Sequence, residues 1–157
     1  MDLETWELLS YVVTTIGLPL AIAVFVYEQH KERLQDESEV YQQLSDDYQG
    51  FLQTALGHPD LGLFSYDETP SLTPEQRERM HIIFSMLVAL FERAFILLYA
   101  DGMARRQQRL WRSWEDYMRE WCRRADFRGA LPDLLGGEDP DFVAYLEALV
   151  AEESRRA

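Results

Sequence analysis

Cysteine and histidine are scarce in this chain of 157 residues, with one of the first and three of the second. A lone Cys122 excludes an intrachain disulfide framework and a multi-cysteine zinc site. His30, His58 and His81 never stand at a paired ligand spacing such as His-Glu-x-x-His, so no metal site is expected. A glycine-rich phosphate loop and a Gly-x-Ser-x-Gly elbow are both missing, and no histidine is placed by sequence to activate Cys122. The chain is therefore read as a non-enzyme with no catalytic residue, no cofactor and a structural thiol. Alternating β patterns are missing too, which points to an all-α protein.

Lys and Arg are absent ahead of Leu8, where Asp2, Glu4 and Glu7 stand, and charge of either sign is absent from Leu8 to Tyr27. An apolar stretch of about 20 residues, at about 1.5 Å per helical residue, matches the roughly 30 Å hydrocarbon core of a bilayer. Ala21-Ile22-Ala23 offers a cleavage pattern for a secretion signal, but such signals open with a basic region, and this start is acidic. The stretch is read as a retained transmembrane helix over residues 8–27, after a short non-cytoplasmic terminus over 1–7. Lys31 and Arg33 follow it closely, so the bias of basic residues toward the inner face puts residues 28–157 in the cytoplasm. Within the span, Ser10, Thr14, Gly17 and Ala21 line one narrow small-residue face through which spans can associate. Pro19 frees the carbonyl of Thr15 and marks the expected kink.

After the span, Leu34, Tyr41, Leu44, Tyr48, Phe51 and Ala55 keep a three-four spacing, so the anchor is expected to run on into a long amphipathic stalk helix ending at Gly57. A helix from Trp6 to Leu56 would be on the order of 75 Å long. The next start is Thr73-Pro74-Glu75-Gln76, a capping box with proline at the first helical position. This helix is apolar nearly all round up to Asp101-Gly102, yet Glu92 and Arg93 stand at its middle, so it is read as the central helix of a bundle rather than a second span. Glu92 is expected to be a buried charge paired with an arginine of a neighbouring helix, because Arg93 points about 100° away from it.

A third helix is expected from Met103 to Arg124, then a connection containing Pro132, Gly136 and Gly137, then a last helix capped by Asp139-Pro140. The favoured architecture is an antiparallel helical bundle after the anchor and stalk. The third helix is both basic and aromatic, with Arg105, Arg106, Arg109 and Arg112 beside Trp111, Trp114 and Trp121. The whole chain carries a net charge of −13, which opposes nucleic acid, and the tryptophans share the stripe that a bundle core needs. Nucleic acid is not an expected partner.

The succession "YQQLSDDYQGFL", "HPDLGLF", "LFERAF", "WRSWEDYM" and "DFVAYL" after an N-terminal span resembles an uncharacterised family of short bacterial single-pass membrane proteins with a helical cytoplasmic domain. That resemblance implies location and fold and supplies no catalytic residues. In layout alone the chain also resembles anchored HEPN-like accessory proteins of bacterial antiviral systems. The HEPN nuclease pattern separates Arg from His by four to six residues, whereas Arg77 and His81 have three between them. The expected protein is thus an inner-membrane tether with the lipid bilayer as one partner and itself or another protein as the second. An oligomeric pore-forming effector and, further off, a HEPN-like RNA-processing protein are the alternatives. No particular small-molecule ligand is indicated.

Overall fold

The computed structural model describes the backbone of residues 3–64 and 68–156, with side chains at 17, at 19–29 and, within those ranges, from 38 onward. All the secondary structure among these residues is helical: α1 (Leu3–Leu56), a 3₁₀ turn (Pro59–Leu61), α2 (Pro74–Leu98), α3 (Arg105–Cys122), α4 (Ala125–Leu134) and α5 (Pro140–Arg156). The chain divides into two units, Met1–Val40 and Tyr41–Ala157.

The first unit contains the opening part of α1, which continues through Pro19. Leu20, Ile22, Val24, Phe25, Val26 and Tyr27 are all exposed, the least of them at 47%. Of the small-residue face, Gly17 and Ala21 are exposed, while the side chains of Ser10 and Thr14 lie outside the described residues.

In the second unit, residue pairs fix the helix directions. Arg93 bonds Asp47 while Arg79 meets His58, so α2 runs against the end of α1. Phe95 packs on Trp111 and Phe84 on Trp121, so α3 runs against α2. Tyr145 meets Glu115 and Glu153 meets Arg119, so α5 runs in the same direction as α3. The bundle is therefore not antiparallel throughout. The cause is α4, which carries the chain back along α2 from the Phe84–Phe127 contact to Asp139 beside Glu92, so that α5 starts at the same end as α3.

Helix α4 also corrects the sequence reading, which placed a loop there. The third helix ends at Cys122, and Arg124 adopts an extended conformation with ψ 127° because its guanidinium turns inward. Its Nη1 donates to the carbonyls of Gly62 and Leu63 at 3.0 and 2.9 Å, and Nη2 donates to Thr69 Oγ1 at 3.1 Å. Asp126 accepts from both Nε and Nη2 of Arg124 and from the N–H groups of Thr69 and Phe127. Buried Phe127 and Leu131, one turn apart, then hold α4 to the core despite Pro132 inside it. The start of α2 follows expectation: Thr73 Oγ1 accepts the Gln76 N–H, and the Gln76 side chain accepts the Thr73 N–H.

Candidate functional site

Among the described residues, α2 is the one helix long and apolar enough to cross a membrane by length and composition, although half of its most apolar window is buried within the fold. One face of it is left uncovered. Ile82, Met86, Ile96 and Leu97 are 45–59% exposed, and Ala89 between them is exposed as well. Beside this face, α1 and α2 frame a hollow of about 410 Å³ lined by Asp46, Gly50, Phe51, Met86, Ala89 and Arg93, among others. Arg93 donates to Asp47 at 2.9 Å with its side chain still 59% exposed. This combination of apolar stripe, hollow and open charges is the strongest candidate surface on the second unit.

The basic-aromatic helix divides into two faces. Trp111, Trp114 and Trp121 are each 2% exposed and belong to the core, so they present no stacking platform. Arg105, Arg106, Arg109 and Arg112 are exposed on the other side. The remaining arginine of α3, Arg119, and Arg123 just after it serve a buried carboxylate that sequence reasoning missed. Glu153 accepts from Arg119, Arg123 and Arg156, while Arg119 also binds Glu115 and Glu152. Its sequence signal was the Glu153–Arg156 spacing at the end of α5. Cys122 is fully buried next to this knot, and burial followed by the charge of Glu153 pushes its thiol up to about 12. Burial thus favours the protonated thiol over the thiolate.

Arg77 and His81 stand one turn apart on α2, both exposed, and line a second hollow of about 520 Å³ together with Glu68, Ser71 and Asp126. Ser71 has a left-handed φ of 60°, which a non-glycine residue adopts at some strain. Among the described residues no hydrogen bond joins the side chains of Arg77 and His81, and Asp126 is committed to Arg124. No described group of His, Cys, Asp and Glu has the arrangement of a metal site.

Glu92 is half-buried, and its partner is not an arginine. Its carboxylate accepts the N–H of Asp139, the residue that caps α5 by accepting from Asp141 and Phe142. A backbone donor at a helix start does the work expected of a guanidinium. Glu138 also hydrogen-bonds Glu92, and that bond, then burial, then the charge of Glu92, pushes the Glu138 carboxyl up to about 7. The acids Asp139 and Asp141 line the hollow beside this head of α5, with Phe95, Tyr99 and Tyr145 as its aromatic wall. Because the folded state holds the Glu138 proton more tightly than an ordinary carboxyl at 4.5 does, stability falls as pH rises from 4.5 through 7. The urea midpoint of the full chain in detergent is expected to drop between about pH 5 and pH 8, and Glu138→Gln is expected to flatten that drop. An equal slope in the variant would assign the titration elsewhere.

No family model, curated protein or solved structure matches this chain.

Proposed function

We propose that this chain is a bacterial single-pass inner-membrane protein, with its N-terminus outside and its folded unit in the cytoplasm, that works by protein association rather than by catalysis. One observation carries the reading. From Pro19 to Gln29 the helix is apolar, and its large side chains from Leu20 to Tyr27 stand uncovered by protein. Burial of each such side chain is worth about 1.5–3 kcal/mol, and a helix apolar on every side finds that burial in a core or in lipid. The second unit closes its own core around Trp114, Trp121, Phe84 and Phe91, which leaves lipid as the medium that suits the segment. The uncovered face of α2 supports the association half of the reading, because the chain buries a large aromatic core yet leaves this apolar face to solvent.

Alkaline extraction and protease access test the proposal. The full chain is expected in the membrane pellet after carbonate washing, with residues 41–157 protected in intact spheroplasts and digested in inverted vesicles. Recovery in the supernatant, or digestion of that unit from the outer side, overturns it.

A further inference from the structure

We infer that the exposed face at the start of α3, carried by Arg105, Arg109 and Arg112, docks the second unit on anionic phospholipid headgroups. The inference rests on the membrane reading above and names the surface at which the folded unit meets lipid. The three arginines follow one another at spacings of four and three on the outer side of α3, and all are exposed. Among the described residues none of them makes a hydrogen bond or ion pair. The fold does not call for them there either. Bare N–H groups at a helix start carry partial positive charge, and α3 opens with Arg105 after Ala104, which supplies no side-chain cap, and has no acid in its first turn. An arginine in that place costs the helix some stability, so its charge suits something outside the fold.

Position and charge select lipid as the occupant. Tyr48 packs on Trp114 and Tyr117, and Phe51 on Trp121, so α1 and α3 run in the same direction within the unit. The arginines therefore stand at the end where the chain enters the unit at Tyr41. A tether of 13 residues, Glu28 to Val40, joins that end to the apolar segment, and even fully extended it spans at most about 45 Å. Further along the same outer stripe the sign changes, with Asp116 and Glu120 exposed toward the other end. An anionic surface thus attracts the tethered end of the stripe and repels the far one. Asp101, Asp139 and Asp141, at the tethered end too, line the hollow between α2 and α5 instead. The net charge of −13 repels a polyanion arriving from solution, whereas the anchor already holds the unit beside headgroups. Two copies side by side, tethered at the same end, set arginine against arginine.

The test uses the full chain in phosphatidylcholine vesicles with and without about 30% phosphatidylglycerol, with a dye on Gln108→Cys and a short-range nitroxide quencher on the headgroups. Quenching is expected with phosphatidylglycerol, to fade as salt rises, and to be weak without it. Each arginine beside an anionic leaflet is worth about fivefold, so Arg105→Gln, Arg109→Gln and Arg112→Gln together are expected to lower the docked-to-undocked ratio on the order of a hundredfold. Arg105→Gln alone is expected to raise the thermal midpoint by roughly 1–4 °C. A lowered midpoint would show that this arginine serves the fold and would overturn the inference, as would quenching indifferent to phosphatidylglycerol or to the triple replacement. Quenching that follows protein density assigns the face to a second copy, and RNA retained on neutral vesicles but lost in the triple variant assigns it to nucleic acid; either overturns lipid docking. Flotation after alkaline washing reports the anchor alone. A chain that floats without phosphatidylglycerol-dependent quenching removes this face and keeps the membrane reading, whereas a chain that fails to float removes both.

Discussion

Arg124→Ala is expected to lower the unfolding free energy by about 3–5 kcal/mol, the range for removing one partner of a buried ion pair. The Arg124 side chain is 5% exposed and that of Asp126 12%. Without the guanidinium, Asp126 loses its cation while remaining half-buried, and the carbonyls of Gly62 and Leu63 lose their donor. Each orphaned group adds its own desolvation penalty, of order 1–3 kcal/mol. Lysine cannot substitute, since one ammonium cannot reach two loop carbonyls, a hydroxyl and a carboxylate through a planar fork. Urea denaturation followed by circular dichroism measures the loss. The double variant Arg124→Ala with Asp126→Ala should be less damaged than the sum of the single ones, by about 1–3 kcal/mol, because neither charge is then stranded. Additive losses would show that the two side chains act independently.

Trp121→Ala is expected to cost about 3–5 kcal/mol. The indole meets Phe51 of α1, Phe64 of the following loop, Phe84 of α2 and Phe127 of α4 edge to face, with centroids 5.5–6.2 Å apart. Edge-to-face pairs add about 0.5–1.5 kcal/mol each beyond the area they bury. One ring therefore joins four segments, and its loss opens a cavity that no single neighbour can fill. Trp121→Phe should recover part of the stability, since it keeps an aromatic ring in the site. A loss below about 1 kcal/mol for the alanine variant would mean that the core collapses into the gap.

What the sequence made legible was local or periodic. The Thr73–Gln76 capping box depends on neighbours three residues apart, and the tryptophan stripe of α3 follows from helical spacing alone. What it hid was long-range. The break at Arg124 is set by partners 55 to 62 positions away, and nothing near Arg124 announces them. Pro132 and two glycines then made the next segment look like a loop, while burial of Phe127 and Leu131 made most of it a helix. Glu92 misled for a related reason. Its partner is a backbone N–H, which every residue but proline possesses and which no residue type flags. The apolar character of α2 was readable, whereas the identity of its uncovered face depends on which neighbours pack against it.

The shared direction of α3 and α5 has an electrical side. The parallel dipoles of α3 and α5 add to one another, while α2 and α4 run the opposite way and offset them. Helix α3 opens with Arg105 and Arg106 and has no acid in its first turn, so it cannot neutralise its own start. Asp101, Asp139 and Asp141 gather at that end, and Arg119, Arg155 and Arg156 sit in the closing turns at the opposite one. Acids thus stand at the shared start of α3 and α5 and arginines in their closing turns, each placed to offset the helix end beside it.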